Sequence, residues 1–281
     1  MNTNVGTQDV PHALVESGKV EQKDRKFAND VADVGFVNYL FIRLVAKGRR
    51  FRNVDFRYAV FDACYLRNCV FDSCNFTGCR FVSTNFHGSS FTGCQFDYAS
   101  FEKTDIDDDV LSSGCPATEN LKMRFARSLR INYQQLGNAE AANKAIEVEL
   151  DATEVYLHKS WRSNESYYRK KYAREKRVKQ FFRWLTFKTL DLVWGNGEST
   201  YKLLRAVVVV QIAIAIVHVG AFGDSTLVAN YLRAMVDAPS TFLGTAVPPE
   251  YPPLYVSALQ FVKLVFFGFF MSVILKRFNR R

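Results

Sequence analysis

The chain has 281 residues, of which 48% are hydrophobic and 25 are Phe, and its formal net charge is +9. This length predicts one to three structural units, and this hydrophobic content excludes a wholly disordered chain. The charge is uneven: residues 51–111 hold five Lys or Arg against nine Asp or Glu, whereas residues 159–188 hold eleven against two. The basic character therefore belongs to one segment.

Residues 1–28 are polar and mixed in charge, which predicts a disordered cytoplasmic tail. Residues 29–50 are predicted to cap the structure that follows. Val34, Val37, Phe41 and Leu44 share one helical face and Asp30 suits the N-cap position, so we expect a helix here. The alternative is an irregular first repeat, because Phe41 is also in phase with the pattern downstream.

Every fifth residue from Phe51 to Leu111 is large and apolar, in thirteen positions without exception. A small or β-branched residue stands two positions before most of them, as at Val54 and Ala59. A period of five fits neither a helix nor a flat strand, and unbroken repetition of this kind indicates a solenoid.

This pattern resembles the pentapeptide-repeat family. The resemblance implies a right-handed quadrilateral β-helix over residues 51–115, with one pentapeptide on each side and both the bulky and the small position pointing inward. Residues twenty apart then stack, so that Phe56, Phe76 and Phe96 form one column. The rod is short, and both of its ends need a cover.

The cysteines follow the repeat: Cys64, Cys69, Cys74, Cys79 and Cys94 occupy the small inward position, and Cys115 comes just after. A spacing of five matches no zinc or haem pattern, so we expect small buried side chains in a reducing compartment. A redox bond between the stacked Cys74 and Cys94 is the alternative.

Residues 116–161 are predicted to form a helical hairpin. Apolar residues recur at helical spacing from Leu121 to Leu136, Gly137 and Asn138 suit a turn, and a second helix follows to Trp161. We expect this hairpin to cover the far end of the β-helix. The piece from Tyr133 to Ala142 resembles the helical linker of membrane-bound members of the family.

Residues 162–201 are predicted to form a basic juxtamembrane helix with embedded aromatic residues. Its expected partner is anionic membrane lipid; nucleic acid and a plain solvated linker are the alternatives. The predicted lipid-surface contacts are Arg169, Lys170, Lys171, Arg174, Lys176, Arg177, Lys179 and Trp184.

Residues 202–281 are predicted to form a two-span transmembrane hairpin, with spans at about 203–222 and 254–275. Each stretch carries one charge, Arg205 and Lys263 respectively, and matches the roughly 20 residues that cross a bilayer. Basic residues precede the first span and follow the second. The positive-inside rule therefore predicts both termini in the cytoplasm and a Pro-rich loop, 223–253, outside. We expect a bacterial inner-membrane protein.

Polar residues within the spans are the candidate functional residues. A lysine near mid-membrane is costly and usually meets a partner or a wet cavity. We predict a pore or helix-contact face formed by Lys263, Gln260, Gln211 and His218, with Gly268 as a hinge. A snorkelling lysine or a non-conducting helix contact is the alternative.

The order of repeat, linker, Trp194–Glu198, span, loop and span resembles pentapeptide-repeat proteins that end in a potassium-channel-type pore. The stretch from Val265 to Arg277 is similar to their inner helix. Their filter reads Thr-Leu-Gly-Tyr-Gly-Asp, whereas this loop offers Thr241–Thr245 without the second Gly or the acidic residue. The sequence therefore does not predict potassium selectivity.

We expect no enzyme, metal or cofactor, because the four His are scattered and no nucleotide-binding motif is present. Two functions remain. The first is an oligomeric pore or membrane-perturbing effector with a cytoplasmic recognition module. The second is a non-conducting membrane-anchored scaffold. Both imply an unknown cytoplasmic protein partner, and the first implies a homo-oligomer.

Overall fold

The computed structural model describes residues 18–223 and 226–278. The predicted tail as far as residue 17, and Arg280 and Arg281 of the predicted cytoplasmic end, lie outside the described residues. The chain divides into two compact units, residues 1–159 and 160–281.

The first unit begins with nine short strands, and the helices run on into the second unit. The strands are β1 Val20–Lys23, β2 Val31–Ala32, β3 Tyr39–Ile42, β4 Arg50–Arg52, β5 Val60–Asp62, β6 Val70–Asp72, β7 Arg80–Val82, β8 Ser90–Thr92 and β9 Ser100–Glu102. The helices are α1 Val110–Ser113, α2 Glu119–Gln135, α3 Ala139–Arg162, α4 Ser166–Lys171, α5 Glu175–Trp194, α6 Thr200–Phe222, α7 Val228–Leu243 and α8 Pro253–Phe278, with a 3₁₀ turn at Gly195–Gly197.

The strands form a β-solenoid of about four coils, which confirms the predicted fold class. One parallel ladder has the order β1-β3-β5-β7-β9 and a second has the order β2-β4-β6-β8. Single parallel bridges, such as Asp55 to Asn75, mark the two remaining sides. From β2 onward, partners are twenty residues apart, so each side of the coil corresponds to one five-residue unit.

Stacked Phe rings fill the interior of the solenoid. Phe56, Phe76 and Phe96 lie parallel at centroid separations of 5.2 and 5.0 Å, and Phe51 stacks on Phe71 at 4.9 Å. Offset parallel rings at these distances are favourable beyond the burial of their area. The column that the five-residue period predicts is thus the core of the first unit.

Each corner of the coil is a left-handed residue two positions after an inward side chain. Asn53, Tyr58 and Ala63 have φ of 50°, 61° and 52°. Gly78 has φ 71°, and an added Cβ there would lie 2.5 Å from the Tyr58 ring of the previous coil. Non-glycine residues adopt this backbone at other corners, so it is the close Tyr58 ring that requires glycine at this one.

The helix predicted over residues 30–45 is wrong, and the solenoid starts earlier than expected, at β1. The first coil is one residue short, so Gln22 pairs with Phe41 in the position of an inward Phe. Asp30 accepts a hydrogen bond from the Arg50 backbone (2.9 Å) instead of capping a helix. Val34 and Val37 are 43% and 41% exposed, whereas Phe41 and Leu44 are buried, so the four side chains do not form one buried helical face. The parallel ladder supplies the hydrogen bonds of this backbone. The segment is therefore the irregular first coil that was the alternative prediction.

Helix α2 closes the last coil with side-chain oxygens. The backbone N–H groups of Phe101, Lys103 and Thr104 donate to Ser128 Oγ (2.9 Å), Gln135 Oε1 (3.1 Å) and Asn132 Oδ1 (2.7 Å). Asn132 Nδ2 also donates to the Thr104 carbonyl (2.7 Å). These groups replace the coil that would come next, so the open edge of the ladder is paired.

Helices α2 and α3 run antiparallel, as the hairpin prediction requires. Arg127 and Arg130 meet Glu149 at 2.8 and 3.1 Å, and Lys159 meets Glu119 at 2.6 Å at the far end of the pair. Phe125 of α2 packs on Phe96 and Phe101 of the solenoid. The hairpin is therefore held together by ion pairs, and α2 joins it to the solenoid through Phe125 as well as through the hydrogen bonds to the last coil.

The second unit differs from expectation in two elements. The basic segment is two helices, α4 and α5, separated by Arg174 with φ 44°. The segment predicted as a loop contains α7, whose Ala234 and Ala238 are buried. Helices α6 and α8 are long and apolar enough to cross a membrane, and only 22% and 11% of their most apolar stretches is buried. A helix in the core of a soluble protein would instead be mostly buried.

Replacing Phe76 by Ala tests the core. Phe76 is fully buried between two parallel rings, so we expect a loss of about 3–5 kcal/mol in the free energy of unfolding. Chemical unfolding of the detergent-solubilised chain, followed by circular dichroism, measures it. Tyr58→Ala, at a 56% exposed side chain, is the control and should change far less; equal losses would contradict this core.

Replacing Asn132 by Ala tests the closure of the last coil. The change leaves two buried groups of Thr104 unpaired, which costs about 1–3 kcal/mol. We expect faster hydrogen exchange in peptides that cover residues 100–106. Gln135→Ala removes one exposed bond and should have a smaller effect. Unchanged exchange in Asn132→Ala would mean that α2 does not protect this edge.

Candidate functional site

The end of α7 meets the middle of α8 at a polar contact. Lys263 Nζ donates a hydrogen bond to the Leu243 carbonyl, the last of α7, at 3.2 Å. The last carbonyls of a helix lack partners within it and carry the negative end of the helix dipole. A lysine is therefore a suitable partner, and the structure gives Lys263 the polar contact that its cost in an apolar helix requires.

Gly244 fits α7 closely against α8 at the same contact. It ends α7 in the left-handed conformation, with φ 77°, and its N–H and that of Thr245 return to the last turn. A Cβ on Gly244 would lie 2.7 Å from Gln260 Nε2. Gln260 and Lys263, three residues apart on α8, thus both face the end of α7.

This contact lies well inside α8 along its axis. Lys263 is ten residues from Pro253, which is roughly 15 Å at 1.5 Å per residue. Phe242 at the end of α7 packs on Phe266 of α8, with centroids 6.3 Å apart. The segment 244–252 then returns to the start of α8, where Tyr251 packs on Phe222 at 5.1 Å. Helix α7 therefore ends beside the middle of α8, and an irregular segment leads back.

The structure does not place His218 and Gln211 of α6 on one polar face with Lys263. His218 packs on the Tyr251 ring at 5.7 Å, near the end of α6. Its Nδ1 is buried without a hydrogen-bond partner among residues 18–223 and 226–278. Gln211 is half-buried on the helix face that carries Ile214 and Ala215. Two of the four predicted polar residues, Lys263 and Gln260, thus lie at the same contact with the end of α7.

Two other expectations for this region can be compared with the structure. Gly268 lies within one continuous helix, and an added Cβ there would meet nothing within 4 Å. Thr241–Leu243, compared above with a filter, are the last residues of α7. The hinge remains a prediction, and this part of the loop is helical because Ala234, Ala238 and Phe242 pack as one face.

Two of the predicted lipid contacts are engaged within the second unit. Arg177 donates to the Trp161 carbonyl at 2.8 and 3.1 Å, where α3 ends, and Trp184 packs on the Trp161 ring at 5.5 Å. Lys171 lies over the Tyr167 ring, and Arg169 donates to Asn164. The other six predicted residues are exposed, namely Arg169, Lys170, Lys171, Arg174, Lys176 and Lys179, and their contact with lipid remains a prediction.

Contacts at the other end of α8 were not predicted. Trp194 stacks on Phe269 with centroids 4.4 Å apart, and Lys202 of α6 pairs with Asp191 of α5 at 2.8 Å. Arg205 donates to the Leu192 carbonyl. Trp194 entered the sequence analysis only as the start of the Trp194–Glu198 stretch, and nothing in the sequence pairs it with Phe269. These contacts fix the end of α5 to the beginning of α6.

The described residues offer little acid–base or metal chemistry. No group of three His, Cys, Asp or Glu could hold a metal in this part of the chain. Burial raises the pKa of the Cys64 thiol to about 11 and raises the pKa of Cys79 further. These buried thiols are therefore protonated at neutral pH and poor nucleophiles.

Residues 49–115 match the family model described as a pentapeptide repeat region. The match covers the solenoid from β4 to the end of α1. No curated protein matches the chain. The resemblance of the second unit to a potassium-channel-type pore has no support from these matches.

Three solved structures that match the chain each cover about a third of it. A pentapeptide repeat protein from the thylakoid lumen of Arabidopsis thaliana is 14% identical, covers 33% of this chain and 81% of its own, and has a TM-score of 0.22. Two trypsin-treated variants of QnrB1, a plasmid-mediated fluoroquinolone resistance protein, are 18% and 22% identical. They cover 32% and 31% of this chain and 64% and 52% of their own, with TM-scores of 0.19 and 0.16.

Gly244→Ala tests the α7–α8 contact. The substitution forces an L residue into a left-handed conformation against Gln260, which we expect to cost about 1–2 kcal/mol. Thermal unfolding in mild detergent measures it. The matched control is Gly268→Ala, where the space is open and a helical alanine is favourable by up to about 1 kcal/mol. Similar effects at both glycines would contradict this packing.

Proposed function

We propose that the chain is a bacterial inner-membrane protein in which α6 and α8 cross the bilayer and the second unit assembles into an oligomeric pore. The solenoid, which supports a protein-interaction role, is the cytoplasmic module that binds a partner. Exposed apolar side chains along both long helices support the insertion: Val208, Val209 and Ile216 on α6, and Phe261, Leu264 and Phe267 on α8.

The observation that carries the pore is the irregular segment beside the middle of α8. With α6 and α8 in the bilayer, α7 enters from the outer side, ends at depth, and residues 244–252 return. Residues 243–247 are exposed in a single copy. Lipid cannot bond to irregular backbone, which occurs at this depth only when other protein covers it or when it lines water. Copies arranged around an aqueous path provide both.

Lys263 sets the charge of that path. Without it, the helix end at Leu243 would present a negative potential that favours cations. The ammonium group at 3.2 Å offsets that potential, and one lysine from each copy adds positive charge. The proposed pore is therefore poorly selective or tolerant of anions rather than selective for potassium.

The contact of Lys263 and Gln260 with the end of α7 also supports a second function. Lys263 and Gln260 hold α7 against α8 within one chain, which is what a non-conducting helix bundle would need. The solenoid would then be a scaffold displayed on the membrane. Conduction separates the two proposals.

Induced expression in bacteria with a membrane-potential dye tests the pore. We expect the chain to depolarise the cells and Lys263→Leu to change the response, because the helix end loses its compensating charge. Lys263→Arg keeps the charge and should depolarise as the parent does. Alkaline extraction of membranes checks that each variant is inserted.

No depolarisation at any expression level, with all proteins inserted, would contradict the pore and favour the scaffold. Depolarisation that neither substitution alters would place the path elsewhere than at Lys263. Release of the parent chain by alkali would contradict the insertion of α6 and α8.

A further inference from the structure

Helix α5 carries an exposed apolar stripe that its packing leaves unused. The stripe consists of Val178, Phe182, Leu185 and Leu192, whose exposed fractions are 58%, 59%, 42% and 64%. At 3.6 residues per turn these four positions lie within an arc of about 80°. Their spacings of four, three and seven residues are those of a helix with one apolar face, with Thr189 in the gap between Leu185 and Leu192.

The opposite side of α5 is already occupied. Gln180 is buried, Trp184 packs on Trp161, and Arg177 bonds to the Trp161 carbonyl. The stripe therefore faces away from the second unit. Exposed large apolar residues in a continuous row on a packed helix mark an interaction surface.

Lys188 and Lys179 are the basic residues nearest the stripe, about 40° and about 60° beyond its two edges, and Glu175 lies about 20° beyond the edge on the Lys179 side; all three are exposed. Arg183 and Lys176 lie about 40° and about 60° further round than Lys179, on the far side of the helix. An anionic headgroup layer attracts basic residues that lie near it, with about 1 kcal/mol, or roughly fivefold in affinity, for each one.

The end of α5 is held at one end of the candidate spans. Trp194 stacks on Phe269, Lys202 pairs with Asp191, and Arg205 bonds to the Leu192 carbonyl. The three contacts join α5 to the first turns of α6 and the last third of α8. In the proposed orientation, this is the cytoplasmic surface of the bilayer.

We infer that α5 is an interfacial helix, which inserts Val178, Phe182, Leu185 and Leu192 into the cytoplasmic leaflet and holds anionic headgroups with Lys179. This inference rests on the proposed insertion of α6 and α8. Of the lipid contacts predicted from the sequence it keeps Lys179, and it leaves out Trp184 and Arg177, which belong to the packed side. Helices of this kind bury their apolar face about 5–10 Å into the leaflet.

Tryptophan emission in vesicles tests the inference. The full chain is reconstituted into phosphatidylcholine vesicles with and without phosphatidylglycerol, using lipids brominated near the glycerol, and the emission of the parent's three Trp is subtracted. In Phe182→Trp we expect a blue-shifted emission that the bromines quench. Lys176→Trp, exposed on the other side of α5, is the matched control and should stay unquenched.

Adding Lys179→Gln to Phe182→Trp should weaken the quenching in phosphatidylglycerol vesicles and leave it unchanged in phosphatidylcholine alone. Equal quenching of Phe182→Trp and Lys176→Trp would overturn the inference. So would a Phe182→Trp emission that is shielded from bromine and becomes exposed when protein is diluted in lipid, because the stripe would then cover a second copy.

Alkaline washing of the same vesicles, after the emission is recorded, separates this inference from the proposed function. Quenching followed by release of the protein supports the interfacial stripe and contradicts the spans. Retention of the protein without quenching supports the spans and contradicts the stripe.

Discussion

Unpaired backbone groups are the constraint on which both units depend. In the solenoid, each coil pairs with the next, so the difficulty is confined to the two ends of the rod. Ser128, Asn132 and Gln135 supply the missing acceptors at one end. In the second unit, the end of α7 leaves carbonyls open beside an apolar helix, and Lys263 supplies a donor. In both cases a side chain forms the hydrogen bond that a main-chain group would otherwise form.

This constraint also connects structure to the proposed function. A soluble solenoid can end against a helix because water satisfies whatever remains exposed. An irregular segment beside the middle of an apolar helix has no such solvent if that helix crosses a bilayer. The exposed residues 243–247 therefore call for either a second copy or an aqueous path. The pore proposal is the arrangement in which both are present.

The strictly periodic part of the fold could be predicted from the sequence. Outside it, some predictions from local residue patterns were wrong. The Phe period gave the inward column and the twenty-residue stacking, because each unit repeats the same physical environment. The first coil was misread because Val34, Val37 and Phe41 fit a helix as well as a repeat, and only pairing with β4 and β5 decides between them. Helix α7 was missed because Pro-rich flanks obscured Ala234, Ala238 and Phe242, whose spacing was the available signal.

For the candidate site, the sequence identified Lys263 and Gln260 but not what they contact. Their partner is main chain, the Leu243 carbonyl and Gly244, and main-chain partners leave no trace in residue identity. The exposed side of α5 could not be predicted for a related reason: composition shows that a segment is basic and aromatic, but packing on Trp161 decides which side is occupied.

The most direct test of the central claim is the number of copies in native lipid particles cut from bacterial membranes without detergent, weighed by mass photometry. A closed oligomer of defined size is the result that the exposed segment at residues 243–247 requires. A strict monomer in these particles would contradict it, because two spans cannot enclose an aqueous path.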